Sequence, residues 1–340
     1  MRLVTSAGTT GSSLIRLGVL AVALLCLVAF PFVSGQYYVT LLTLILIAGI
    51  YAMGLDLVFG YAGLHSLGHA AFVGTGAYTI AIVSKRLLPN FYVNLLAALV
   101  ASAVLAAIFG ILAVRARGSY FLMITLALGQ VMWAVTWGWR AVTGGDDGFP
   151  GIKRPDLGIP VSMADPVLFY FLVLVFFLVT AIVLYRIVKS PFGLALIGIR
   201  ENETRMSILG YNVWLYKLLA FVVSGTFGGL GGALLAYSRG TALPSFLHFE
   251  FSAEVFLMVV VGGTGTLIGP VLGAVLVMLI KYIVGAYTER WVMVMGLVYV
   301  IVALSNSGGL VFAFNDLWSR FRKPGTDDGK LVGRERQQGL

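Results

Sequence analysis

Ser190–Lys217 reads SPFGLALIGIRENETRMSILGYNVWLYK, and its charges decide how the rest of the chain is read. Arg200, Glu201, Asn202, Glu203, Thr204 and Arg205 stand in consecutive positions. Each charge at the centre of a bilayer costs about 2.5–3.5 kcal/mol on insertion scales, and more in simulation. The stretch therefore lies in water. Pro191 and Gly193 open it, Gly210 and Asn212 interrupt it, and the residues between have helical composition. Two readings of it stand: a solvated loop helix, or a docking helix that passes a conformational change to a soluble partner.

On both sides of this stretch the chain is apolar. It is 59% hydrophobic and 11% charged over 340 residues, with mean hydropathy +0.97. A soluble domain carries about 25% charged residues, so composition points to a polytopic membrane protein. The net charge of +9 fits basic inner loops better than a nucleic-acid partner, and none is expected. Cys26 is the sole cysteine, which excludes an intramolecular disulfide. Arg16 before Leu17–Val33 mimics a signal peptide, but the many later spans favour an uncleaved first helix.

The fold class expected is all-α, with about ten membrane segments at about 20 residues each, or eight if glycine-rich pieces are re-entrant. They run near Leu14–Val33, Tyr38–Phe59, Phe72–Ser84, Phe91–Val114, Ser119–Trp139, Pro166–Val188, Leu218–Tyr237, Ala253–Val261, Leu267–Ala286 and Trp291–Leu304. With both termini inside, 15 of the 23 lysines and arginines fall on the inner side. Residues 1–13 then form an inner tail, 14–306 the membrane domain, 189–217 an inner loop and 140–165 an outer loop. Residues 307–340 carry a basic inner tail of disordered composition.

Glycines gather at Gly60, Gly63, Gly68, Gly74 and Gly76, pair as Gly225/Gly229 and Gly228/Gly232, and recur at Gly263, Gly265, Gly269 and Gly273. Such rows let helix backbones approach closely in lipid. They serve either packing or a broken helix lining a solute path, and Pro270 supports a break. Non-helical backbone survives at membrane depth only where protein or a water-filled cavity covers it. Asp56, late in a span, is a functional candidate by its charge alone, unless it sits at the interface. Ser66, Thr125, Asn94 and Gln130 either bond across helices or line a path. His65 and His69, four apart, would share one helix face as a candidate metal pair. Asp56 and His248 are the obvious further donors and no H-E-x-x-H occurs, so no metal site and no catalytic residue is assigned. GGTGTLIG lacks the lysine and hydroxyl of a phosphate-binding loop.

GYAGLHSLGHAAFVGTGAY, RARGSYFLMITLALGQ, TGGDDGFPGI, SPFGLALIGIRENETRMSILGYNVWLYKLLAFVVSG and GGTGTLIGPVLGA, in that order, resemble the signature blocks of LivM-type permeases of bacterial branched-chain amino acid ABC importers. The resemblance spans about Gly60 to Ala274. It implies the fold shared with ribose-type permeases, a place in the bacterial inner membrane, and alternating-access import of leucine, isoleucine and valine. It also implies a LivH-like permease as heterodimer partner, two cytoplasmic ATPase subunits that carry the ATP and magnesium, and an extracytoplasmic solute-binding protein. The chain itself would bind no cofactor. A coupling helix is implied over about Ile199–Gly210, with Arg200, Glu201, Asn202, Glu203, Arg205 and Gly210 contacting the ATPase. Arg205 and Met206 depart from the small residues usual there, and His65 from the usual glutamine. Asp56, Gly60, Gly63, Ser66, His69, Thr125, Gly263 and Gly265 remain candidates for the path or for packing. A membrane metalloenzyme and an ion-coupled transporter are the rival classes.

Overall fold

The computed structural model describes residues 10–86, 90–154 and 163–288, together with 293, 294, 296, 297, 299 and 300. The expected span Trp291–Leu304 and tail 307–340 fall largely or wholly outside the described residues, as do residues 1–9.

The described chain is almost entirely helical. Helices α1 (Thr10–Val33) and α2 (Gln36–Asp56) come first, and α2 continues through a π-helical turn, Leu57–Tyr61. Then follow α3 (His69–Arg86), α4 (Phe91–Ala113), α5 (Ser119–Gly138) and the single turn α6 (Arg140–Thr143). Next come α7 (Pro166–Lys189), α8 (Pro191–Glu201), α9 (Glu203–Ile208) and α10 (Val213–Arg239). The last are α11 (Phe249–Gly262) and α12 (Ile268–Tyr287). Strand β1 (Phe149–Pro150) pairs antiparallel with β2 (Thr241–Ala242), Phe149 opposite Ala242.

Local chemistry sets many of these ends. Asn90 caps α4 through Tyr92 N–H at 3.0 Å, and Asp165 caps α7 through Val167 N–H at 2.9 Å, with Pro166 in the first turn. Arg186 and Lys189 close α7, where cations suit the helix dipole.

Among the described residues six helices are long and apolar enough to cross a membrane: Gln36–Tyr61, Phe91–Ala113, Ser119–Gly138, Pro166–Lys189, Val213–Arg239 and Ile268–Tyr287. Helix α11, with 14 residues, rises about 21 Å, short of an apolar core of about 30 Å.

Helix α2 runs through the centre, buried along nearly its whole length, with α7, α10, α11 and α12 around it. The glycine rows are contacts. A Cβ on Gly232 of α10 would strike the Val73 carbonyl of α3, and one on Gly229 the Ser102 hydroxyl of α4. Likewise Gly273 of α12 lies against the Met258 carbonyl of α11. At the end of the bundle where α3, α5 and α10 finish, residues 144–152 form a tied-down cap. Ile152 N–H donates to Gly240 O at 2.9 Å and Trp137 Nε1 to Asp146 Oδ1 at 3.2 Å.

Candidate functional site

At the opposite end of the bundle, the segment Ser190–Lys217 meets the ends of α2, α11 and α12. It forms two helices. Asn202 breaks it, with φ −159° and ψ 100°, and its side chain caps α9 by accepting from Arg205 N–H at 2.9 Å. The helix expected over Ile199–Gly210 is therefore corrected to α9, Glu203–Ile208, while Ile199 is buried as part of α8. Met206 folds back against Gly198, which holds α9 onto α8. Gly210, at φ +88°, makes the left-handed turn out of α9.

The charged run divides by direction. Glu203 pairs with Lys217 of α10, which is 3% exposed, and lies 3.6 Å from Arg117. Arg200 sends its Nη1 into the bundle to donate to the Gly60 carbonyl. Glu201, Thr204, Arg205, Ser207, Ile208 and Leu209 face outward, Ile208 at 81% exposure.

Beneath Arg200 the predicted candidates converge. Asp56, fully buried, accepts from Gly265 N–H at 2.7 Å and from Leu267 N–H at 3.2 Å. Through these two bonds it pins the turn between α11 and α12. Gly60 passes so close that a Cβ there would strike both Asp56 Oδ1 and the Gly265 backbone, and a Cβ on Gly63 would meet the Arg200 stem. Gly263 ends α11, and its carbonyl accepts from Thr266 Oγ1 at 2.9 Å. Leu267 has φ +55°, the one non-glycine with positive φ among the described residues. Such backbone is strained and persists only where its surroundings hold it.

Ser66, His69 and Thr125 serve a second cluster. Residues 62–68 are non-helical, as the glycine density predicts for Gly60–Phe72. Their amides find side chains: Leu67 N–H donates to Thr125 Oγ1 at 3.2 Å and Gly68 N–H to Ser66 Oγ at 3.3 Å. Ala70 N–H donates to Ser252 Oγ at 3.0 Å. His69 Nε2 lies 2.8 Å from Ser224 Oγ, which donates to the Gly54 carbonyl. With the hydroxyl proton spent there, the ring nitrogen is the donor.

The two histidines share no helix face. His65 precedes α3, is exposed, and packs edge-on against Phe59 at 4.6 Å. Asp56, His65 and His69 each engage different partners, and no group of three His, Cys, Asp or Glu suited to a metal occurs among the described residues. The residues missed by sequence reasoning are Lys217, Ser224, Ser252 and Leu267. A lysine early in a span, Lys217, was the one legible signal among them. Glu254 of α11 pairs with Lys281 of α12 at 2.7 Å.

Residues 37–304 match the protein family described as branched-chain amino acid transport system, permease component. The chain belongs to this permease family. It is 30% identical over 313 residues to the high-affinity branched-chain amino acid transport system permease protein LivM of Escherichia coli, covering 85% of this chain and 74% of that protein. The LivM protein of Salmonella typhimurium is 29% identical over 306 residues, covering 84% and 72%. The ribose import permease protein RbsC of Haemophilus influenzae is 24% identical over 267 residues, covering 76% and 80%. No solved structure matches the chain. As a member of this permease family the protein is a multi-pass membrane transport subunit and not an enzyme.

Proposed function

We propose that this chain moves leucine, isoleucine and valine into the cytoplasm as one permease half of an ATP-driven importer in the bacterial inner membrane. The observation that carries the reading is the similarity to LivM proteins along about 85% of the chain. In this reading about ten segments cross the membrane, both termini are inside, and residues 14–306 form the permease domain. Residues 1–13 and 307–340 are inner tails. Residues 140–165 form the outer loop, and its stretch Thr143–Ile152 contacts the solute-binding protein.

A LivH-like permease completes the membrane unit, and two cytoplasmic ATPases carry ATP and magnesium. Helix α9 docks on one of them, offering Arg205, Ser207, Ile208 and Leu209; this assignment is supported by their outward direction and by the apolar exposure of Ile208 and Leu209. Asn202 and Glu203 shape and hold that helix, and Gly210 ends it. ATP-driven closure of the ATPases moves the docked loops and switches the bundle between outward-open and inward-open states.

The similarity to a ribose permease supports one second reading, the same machine with another small solute such as urea, a short amide or an aromatic acid. Uptake separates them. Cells relying on this importer should take up labelled leucine, with unlabelled isoleucine and valine competing and ribose and urea not. Leucine uptake unchanged by deletion of this chain, beside lost uptake of another solute, would transfer the assignment to that solute.

A further inference from the structure

Arg200 stands next to the proposed docking helix yet points away from it. It lies in the last turn of α8, two residues before the Asn202 break; it is exposed like Glu201 and Arg205, yet its Nη1 donates into the bundle. Its target is the Gly60 carbonyl in the π-helical turn that ends α2. Carbonyls at a helix end lack the next turn's donors, and π-turns recur at functional sites. Gly60 in turn abuts Gly265, whose own Cβ position lies 3.5 Å from Arg200 Nη1. Asp56 holds the same turn from below, through Gly265 N–H and the strained Leu267 N–H.

We infer that Arg200 is a positioning residue that transmits movement of the docking loop to the α11–α12 turn, through its contact with Gly60. The inference rests on the importer reading above. A docked loop that moves must carry the Gly60 carbonyl with it or release it. Either event changes the cover over a turn whose strained Leu267 conformation is held by burial and by its N–H bond to Asp56. A strained segment pinned from two sides is the kind of element that switches between discrete states. Lysine keeps the charge but lacks the planar fork that both donates to Gly60 and covers Gly265.

The test uses the whole importer purified from its membrane and placed in vesicles with its binding protein and labelled leucine. Three variants are compared: Arg200→Lys, Asp56→Asn and Ile208→Asp. A reporter, Thr264→Cys in a Cys26→Ser background, reads the turn by maleimide labelling with and without ATP. Arg200→Lys should keep its ATPase subunits and hydrolyse ATP, while leucine moved per ATP falls by about 5- to 150-fold, the span of ordinary coupling between sites. The ATP-dependent change in labelling at position 264 should vanish with it. Asp56→Asn should uncouple in the same way from the other side of the turn. Ile208→Asp should instead lose the ATPase subunits. Wild-type transport per ATP and wild-type labelling in Arg200→Lys overturn the inference, whether or not Asp56→Asn folds. So does loss of the ATPases from Arg200→Lys, which would make Arg200 a docking contact only. A wild-type complex that contains no ATPase sinks the importer reading itself.

Discussion

Asp56 accepts two backbone hydrogen bonds from residues 209 and 211 positions away. No local pattern encodes a partnership at that distance, so its charge was legible as a signal and its role was not. The same holds for Arg200 and Gly60, 140 positions apart. Lys217 and Glu203 are only 14 apart, but the pair became visible only once α9 folded back towards α10. A measurable consequence follows from that pair. Glu203→Ala leaves Lys217, 3% exposed, without its carboxylate. Breaking a fully buried pair costs about 3–5 kcal/mol. Glu203 is about a third exposed, so the expected cost is about 2 kcal/mol. Thermal unfolding of the purified protein should show this loss, and adding Lys217→Met should restore most of it. No loss in the single variant would mean that Lys217 finds another partner.

Element by element, the apolar runs gave helix positions that the structure reproduces within a few residues from Phe91–Val114 to Leu267–Ala286. The physical reason is that a bilayer selects length and apolarity together. The glycine-rich piece Gly60–Phe72 was legible as either a packing surface or a break, because glycines also fill the regular helix α10. The helix expected over Ile199–Gly210 was drawn across the Asn202 break, although the signal for α9 was present: Asn202 before Glu203 is an N-cap. Glycine rows predicted close packing without naming partners, and the partners are now specific. A Cβ at Gly232 falls on the Val73 carbonyl, so Gly232→Ala must push α10 away from α3. Overpacking of this kind costs about 1–3 kcal/mol. The variant should melt earlier than wild type, while Gly285→Ala, with open space around it, should not. Equal melting of the two would contradict the packing assigned to α10.

At the scale of the molecule, the two ends of the bundle divide the work. One end is a tied cap of residues 144–152, and the other gathers Asp56, Gly60, Arg200 and Gly265 beneath an exposed helix. The proposed importer needs both, one for the solute-binding protein and one for the ATPases. Composition and signature motifs made the membrane class and the family readable from sequence. Solute class was readable only through the resemblance to LivM-type permeases, because no single side chain announces leucine. Gentle solubilisation of the tagged protein from its native membrane, followed by identification of what co-purifies, tests the central claim most directly. The account predicts an ATPase and a second permease with the wild type, and loss of the ATPase alone with Ile208→Asp. Intact wild-type protein that consistently emerges without any partner would contradict it.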